Sequence, residues 1–113
     1  MSYPVQGTPF RLTTSWDDGH PLDLRVAELL TKYGMRGTFY VPLHNSYPTM
    51  SPAQIRELAG LFEIGAHTVT HARLTTLNES DARREIEDSK KQLEDLLGKP
   101  CSAFCFPLLK GIV

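Results

Sequence analysis

The sequence predicts an α/β fold of parallel β/α units, on three observations. Short β-branched or aromatic runs alternate with longer amphipathic stretches in the order β-α-β-α-β-α-β, a pattern that calls for parallel strands joined by right-handed crossovers. The helix-like stretches are bounded by capping residues, prolines and glycines. The polar residues that fit neither periodicity fall directly after strands, at the carboxyl ends where such sheets carry their working residues.

Phe10 to Trp16 alternates Phe10, Leu12, Thr14 and Trp16 with Arg11, Thr13 and Ser15, a period-two pattern that predicts a first strand ending on Asp17 and Asp18. Pro21 suits the first turn of a helix. Leu22, Val26, Leu29 and Leu30 then recur at helical spacing until Gly34 stops it. Gly37 to Val41 is a second strand closed by Pro42, and the loop beyond it holds His44 and Asn45. Ser51-Pro52-Ala53-Gln54 reads as a helix start with a capping box, followed by Ile55, Leu58, Ala59 and Phe62 on one face, with a break near Gly60. Phe62 to Ala66 is a third strand that runs into His67; its Gly65 would allow a close approach. Asn78 and Asp81 open the longest helix. Its apolar stripe is Ala82, Ile86, Leu93, Leu96 and Leu97, with Glu87 and Lys91 placed to pair on the wet side, and Gly98 and Pro100 end it. Cys101 to Phe106 is a fourth β-like run closed by Pro107.

At 113 residues with 41% hydrophobic content, the chain is one domain's worth and can bury a core without metal or disulfide support. Twelve Lys and Arg against 13 Asp and Glu give a net charge of -1 with no basic run, which excludes the electrostatic footprint of a nucleic-acid or anionic-membrane binder. The expected partner is neutral or small. Residues 1–9 carry no charged region followed by an apolar one, and no apolar run approaches membrane-spanning length, so a cytoplasmic location is the default expectation. Cys101 and Cys105, if on one strand, lie about 13 Å apart, too far for a disulfide, and are expected to be buried thiols.

Two stretches carry chemistry. Asp17 and Asp18 are adjacent carboxylates at a strand end, where mutual repulsion and desolvation are relieved by a shared cation. The bland alternative is a solvated turn with an Asp capping the next helix. His67-Thr68-Val69-Thr70-His71 spaces two imidazoles four residues apart, so that a helical turn would put both rings on one face. The glutamate of zinc proteases is missing between them, and the base must come from elsewhere. Asp18, His67 and His71 therefore make a three-ligand set for a divalent ion, and Asp17 is left free to act as a base on water. His20 and His44 read as cap or rim residues.

These residues carry a resemblance. Ser15-Trp16-Asp17-Asp18-Gly19 resembles the first motif of the polysaccharide deacetylases, the nodulation-type carbohydrate esterases, and His67-Thr68-Val69-Thr70-His71 resembles the second. The resemblance implies a distorted (β/α) barrel, usually of seven strands, and metal-dependent removal of acetyl groups from N-acetylated or O-acetylated carbohydrates. It implies Asp17 as catalytic base, Asp18, His67 and His71 as ligands to Zn²⁺, with Co²⁺ or Ni²⁺ as alternatives, and an acetylated oligo- or polysaccharide as partner. The third motif, Arg-x-Pro-x-Gly, falls at Cys105 to Leu109, where Pro107 alone matches; Pro107, His44 and Asn45 are the candidates for substrate contact.

The resemblance covers roughly the first half of such a barrel, so the expectation is a single, partial domain over residues 1–113, with a second copy able to complete it. An inactive or assembly-dependent half barrel that binds metal or sugar without turnover is the first alternative. A receiver-like signalling domain fits the length and the acidic pair, but has His67 where a phosphoacceptor Asp belongs. An Fe(II) oxygenase would also use two His and one carboxylate, but on an all-β scaffold.

Overall fold

A computed structural model describes residues 9–108 of the chain. Three parallel strands, β1 (Thr13–Asp17), β2 (Arg36–Val41) and β3 (Glu63–Ala66), form a sheet in the order β1-β2-β3. Helices α1 (Asp23–Lys32) and α2 (Pro52–Ala59) make the crossovers, and α3 (Glu79–Leu97) follows β3 after a short 3₁₀ turn at Leu74–Thr76. The α/β architecture and the parallel strands are those the sequence predicts. No helix among the described residues is long and apolar enough to cross a membrane.

The register separates two faces. Trp16, Phe39 and Ile64 are aligned across the sheet, as are Asp17, Tyr40 and Gly65. The first set belongs to the face covered by helices, where Phe39, Val41, Ile64 and Ala66 pack with Ala27, Leu30, Ile55, Leu58 and Leu93; Phe39 meets Phe62 edge-on at 5.4 Å. Alternate residues of β2 lie on the other face, Arg36 exposed and Thr38 and Tyr40 partly buried, and there the Thr38 hydroxyl donates to Glu63 at 2.8 Å. The sheet therefore has one apolar and one polar side.

The helix ends follow local chemistry. Ser51 and Gln54 exchange capping-box hydrogen bonds at 3.2 and 2.9 Å, and the Asn78 side chain accepts from Asp81 N–H at 2.8 Å. Gly98 closes α3 in the left-handed conformation at φ 69°, which a residue with a side chain adopts at a cost. Helix α1 starts later than expected, at Asp23; its N-cap is Leu22, which has no side-chain capping bond, and His20 Nδ1 accepts from the Leu22 N–H at 3.0 Å just ahead of the helix.

Several expectations are corrected. The first strand begins at Thr13, and Phe10 and Leu12 stay exposed among the described residues. On α1 the buried face is Asp23, Ala27 and Leu30, leaving Leu22 and Leu29 in solvent. On α3, Ser89 is buried with Leu93 while Ile86 is over a third exposed; Ser89 tolerates burial because its hydroxyl donates to the Ile86 carbonyl at 2.7 Å. Glu87 reaches back to Arg83 rather than forward to Lys91. The fourth strand is reduced to one parallel bridge, Ala66 with Phe104. Its flanks are committed elsewhere: Cys101 N–H donates to Glu94, the Cys101 carbonyl accepts from Lys90, and the Cys105 carbonyl accepts from His67. Backbone groups taken by side chains cannot extend a ladder. Both cysteines are free, Cys101 buried as expected and Cys105 half-exposed instead.

Candidate metal centre

Asp17 ends β1, and the chain then turns through Asp18 at φ 80° and Gly19 at φ 65°. Gly19 is seated against β2, so that a Cβ there would meet Val41 Cγ1 at 3.2 Å, and its carbonyl accepts from Met50 N–H at 2.8 Å. This tight turn sends the two carboxylates apart. Asp17 Oδ2 lies 4.0 Å from the Cys105 thiol, on the polar face beside Tyr40. Asp18 Oδ1 lies 3.2 Å from His67 Nε2 and 2.9 Å from His71 Nε2.

The two imidazoles do not meet by a helical turn. Residues 67–71 are irregular, and the rings converge, with centroids 5.1 Å apart, because Thr68 and His71 take φ values of 67° and 56°. For β-branched Thr68, fully buried, such a backbone is strained by on the order of 1–3 kcal/mol. Of the four non-glycine residues with positive φ among those described, Asp18, Thr68 and His71 are in or between the members of this cluster. Strain gathered at one spot must be held by the surroundings. The Val69 carbonyl accepts from His44 N–H at 2.7 Å, Thr68 Oγ1 accepts from Ala72 N–H at 3.0 Å, and Glu85 Oε1 accepts from both the N–H and the hydroxyl of Thr70 at 2.9 and 3.0 Å.

The donor chemistry fits a cation. His67 Nδ1 donates to the Cys105 carbonyl at 2.8 Å, so in the neutral ring Nε2 carries a lone pair, and that lone pair faces a carboxylate oxygen. Two acceptors in contact need a positive charge between them. His71 could relieve the contact by donating its own proton; His67, with its side chain only 1% exposed, would have to become a buried cation to do so. The three ligand atoms lie within 4.8 Å of one another, the spread expected of donors sharing one ion at about 2 Å. Asp18 is 49% exposed against 11% for His71, so the opening of this candidate metal site is on its carboxylate side. The carbonyl behind His67 is the usual outer partner of a ligating imidazole.

Groups around the cluster feel its negative charge. Burial first, then Asp17 and Asp18, push the Cys105 thiol above its ordinary pKa. Burial, followed by Cys105, Glu63 and Asp17, does the same to the Tyr40 hydroxyl. Asp23, the first residue of α1, is buried with Oδ2 lacking a hydrogen-bond partner among the described residues. Burial pushes its carboxyl from 3.8 up to about 6; His20 opposes the rise, and Asp18 and Asp17 add to it.

None of the substrate-contact candidates makes a side-chain hydrogen bond to the trio among the described residues. His44 contributes its backbone N–H, with its side chain exposed; Asn45 is half-buried, its Nδ2 without a partner among the described residues; and Pro107 is buried. Leu109, the glycine position of the third motif, lies outside the described residues. Two residues, Tyr40 and Glu85, had escaped sequence reasoning. Tyr40 was legible from strand parity, since it alternates with Phe39 and Val41 and so shares the polar face with Asp17. Glu85 had no local signal, being 15 residues from the Thr70 it holds. Gly65 admits a close approach as expected, of backbone and also of a ring: a Cβ there would lie 3.1 Å from the Ala103 carbonyl and 2.5 Å from the Tyr40 Cδ1 and Cε1.

With this geometry in hand, the likeness to known proteins is informative. The polysaccharide deacetylase family model matches residues 6–111. No curated protein sequence matches the chain. Among solved structures, Streptococcus pyogenes deacetylase PplD, in complex with acetate, superposes with a TM-score of 0.76 at 23% identity, over 82% of this chain and 44% of that one. A polysaccharide deacetylase from Bacillus cereus gives 0.72 at 26% identity, over 84% of this chain and 32% of that one. A family 4 acetyl xylan esterase from Clostridium thermocellum, in complex with a cobalt ion, gives 0.71 at 26% identity, over 87% and 49%. The chain thus spans between about a third and a half of the length of these structures, and its parallel β/α units correspond to roughly the first half of their distorted barrel. Matched over nearly its whole length, and carrying its polar cluster at the carboxyl ends of β1 and β3, this chain belongs to the polysaccharide deacetylase family.

Proposed function

We propose that residues 1–113 form a partial deacetylase domain whose Asp18, His67 and His71 hold a divalent ion, Zn²⁺ before Co²⁺ or Ni²⁺, and whose Asp17 is the base in removing acetyl groups from N-acetylated or O-acetylated carbohydrates. The observation that carries the reading is the convergence of two imidazole Nε2 atoms on one oxygen of Asp18, at 3.2 and 2.9 Å. An ion held there would supply Lewis-acid polarisation of an acyl carbonyl. The residues of the chain do the rest. The Cys105 carbonyl keeps the His67 proton on Nδ1, so that Nε2 stays a donor of electrons. Asp17 has no cation within ion-pair distance among the described residues, and as a free carboxylate it can take a proton from water approaching the open, Asp18 side. The acetate held by PplD and the cobalt held by the acetyl xylan esterase support the assignment by likeness.

A second reading is metal or sugar binding without turnover, and one observation favours it. Cys105 stands where the family motif has arginine, and its half-buried thiol brings no positive charge to Asp17. Metal content of the full chain, measured beside Asp18→Ala and His71→Ala, followed by acetate release from a short N-acetylglucosamine oligomer, separates the two. One ion per chain, lost in both variants, with acetate released supports the enzyme; the same ion without acetate supports the binding module. Absence of any bound ion would overturn the metal site in both readings and leave only sugar binding without turnover.

A further inference from the structure

We infer that Glu85, on α3, is a positioning residue for the metal centre: its carboxylate fixes Thr70 and thereby sets His71 against Asp18. The inference rests on the reading of Asp18, His67 and His71 as metal ligands. The segment that carries both imidazoles has no helical or strand hydrogen bonding of its own between 67 and 71, and includes two left-handed residues. A chain in that state drifts toward easier backbone conformations unless it is tied down.

The ties divide the segment. His67 is fixed by its Nδ1 bond to the Cys105 carbonyl, Thr68 by the Ala72 N–H, and Val69 by the His44 N–H. At Thr70, next to His71, both side-chain and backbone donors go to a single atom, Glu85 Oε1, at 3.0 and 2.9 Å. Glu85 comes from the flank of α3 that also presents half-buried Ala82 and buried Ser89 and Leu93 to the body of the protein. Neighbouring acids on the helix pair with arginines, Glu79 and Glu87 with Arg83 and Asp81 with Arg84, whereas Glu85 has no cation within ion-pair distance among the described residues. Its charge is met by Thr70. Hydrogen bonds to an ionised acceptor are the stronger kind, and fixing both donors of one residue fixes the orientation of the peptide that leads into His71. Outer partners of this sort tune metal affinity without touching the ion.

The test uses the full chain, free of metal at the start, and titrates Co²⁺ against a chromophoric chelator in wild type, Glu85→Ala, Glu85→Gln and Ile86→Ala. Glu85→Ala is expected to weaken Co²⁺ binding about 10–100-fold, while Glu85→Gln, whose amide oxygen still accepts from Thr70, restores most of it. Ile86→Ala, a neighbouring change on the same helix, leaves affinity at the wild-type level. Amide hydrogen exchange of the metal-free protein gives a readout independent of the ion: in Glu85→Ala the Thr70, His71 and Ala72 amides exchange on the order of tenfold faster, with β3 and the centre of α3 unchanged. Should Glu85→Ala fail to fold, Thr70→Val, which removes only the hydroxyl bond, is expected to shift both readouts in the same direction. Wild-type affinity together with wild-type exchange in Glu85→Ala overturns the inference. If the wild type itself takes up no Co²⁺, the metal reading falls, and the exchange data alone decide whether Glu85 holds the segment.

Discussion

Replacing Asp23 with asparagine should change how stability depends on pH, and the structure sets the size of the change. Asp23 is 8% exposed, its Oδ2 has no hydrogen-bond partner among the described residues, and its pKa is raised from 3.8 to about 6 by burial and by the nearby Asp18 and Asp17. The folded chain therefore holds this proton more tightly than the unfolded chain does. The stability so contributed is fully present below about pH 3.8 and is lost as the pH rises through about 6. At 1.36 kcal/mol for each pH unit, the rise corresponds to about 3 kcal/mol. The Asp23→Asn side chain is neutral throughout and would not lose it. Urea unfolding of both proteins, followed through the single Trp16 at intervals from pH 3.5 to 7.5, isolates the effect, because the titrating groups other than Asp23 and its charge-coupled neighbours His20, Asp18 and Asp17 cancel in the difference. The expected result is that Asp23→Asn gains about 3 kcal/mol on the wild type between pH 3.5 and 7, most of it between pH 4 and 6. A difference that stays constant with pH would refute the reasoning and mean that the carboxyl is ionised and compensated in the folded chain.

Two further substitutions test the scaffold around the centre. Gly65→Ala puts a Cβ 2.5 Å from two Tyr40 ring carbons and 3.1 Å from the Ala103 carbonyl, and should cost about 1–3 kcal/mol by urea unfolding; adding Tyr40→Ala should return part of that loss, whereas two additive losses would show that the ring is not what fills the space. Asn78→Ala removes the acceptor for Asp81 N–H at the start of α3 and should lower stability by about 1 kcal/mol with no change in metal affinity.

Much of the fold was legible because its signals are local. The capping box at Ser51 and Gln54, the Asn78 cap and the left-handed Gly98 are each written within a few residues, and the structure has all three. The parallel direction of the strands followed from the alternation of elements, since strands joined by helical crossovers run the same way. Strand ends were less legible. Phe10 and Leu12 alternate like strand residues, but β1 is an edge strand of this sheet, and nothing among the described residues covers them. The fourth strand read well in isolation and formed only a bridge, because Glu94, Lys90 and His67 claim its backbone groups from afar.

At the centre the division is sharper. The residue types and their spacing belong to the sequence: two adjacent carboxylates after one strand, two imidazoles after another, and the resemblance those motifs carry. That Asp18 rather than Asp17 meets the histidines is the work of the tight Asp18-Gly19 turn against Val41. The route by which His67 and His71 converge was not written locally. A spacing of four implies a helical turn, whereas the chain uses two strained residues held by His44, Cys105 and Glu85 from three distant stretches. Short-range preferences decide which elements form and where they stop. The angle at which two rings face one oxygen depends on bonds made across 15 to 53 residues, and only the packed structure brings those partners together.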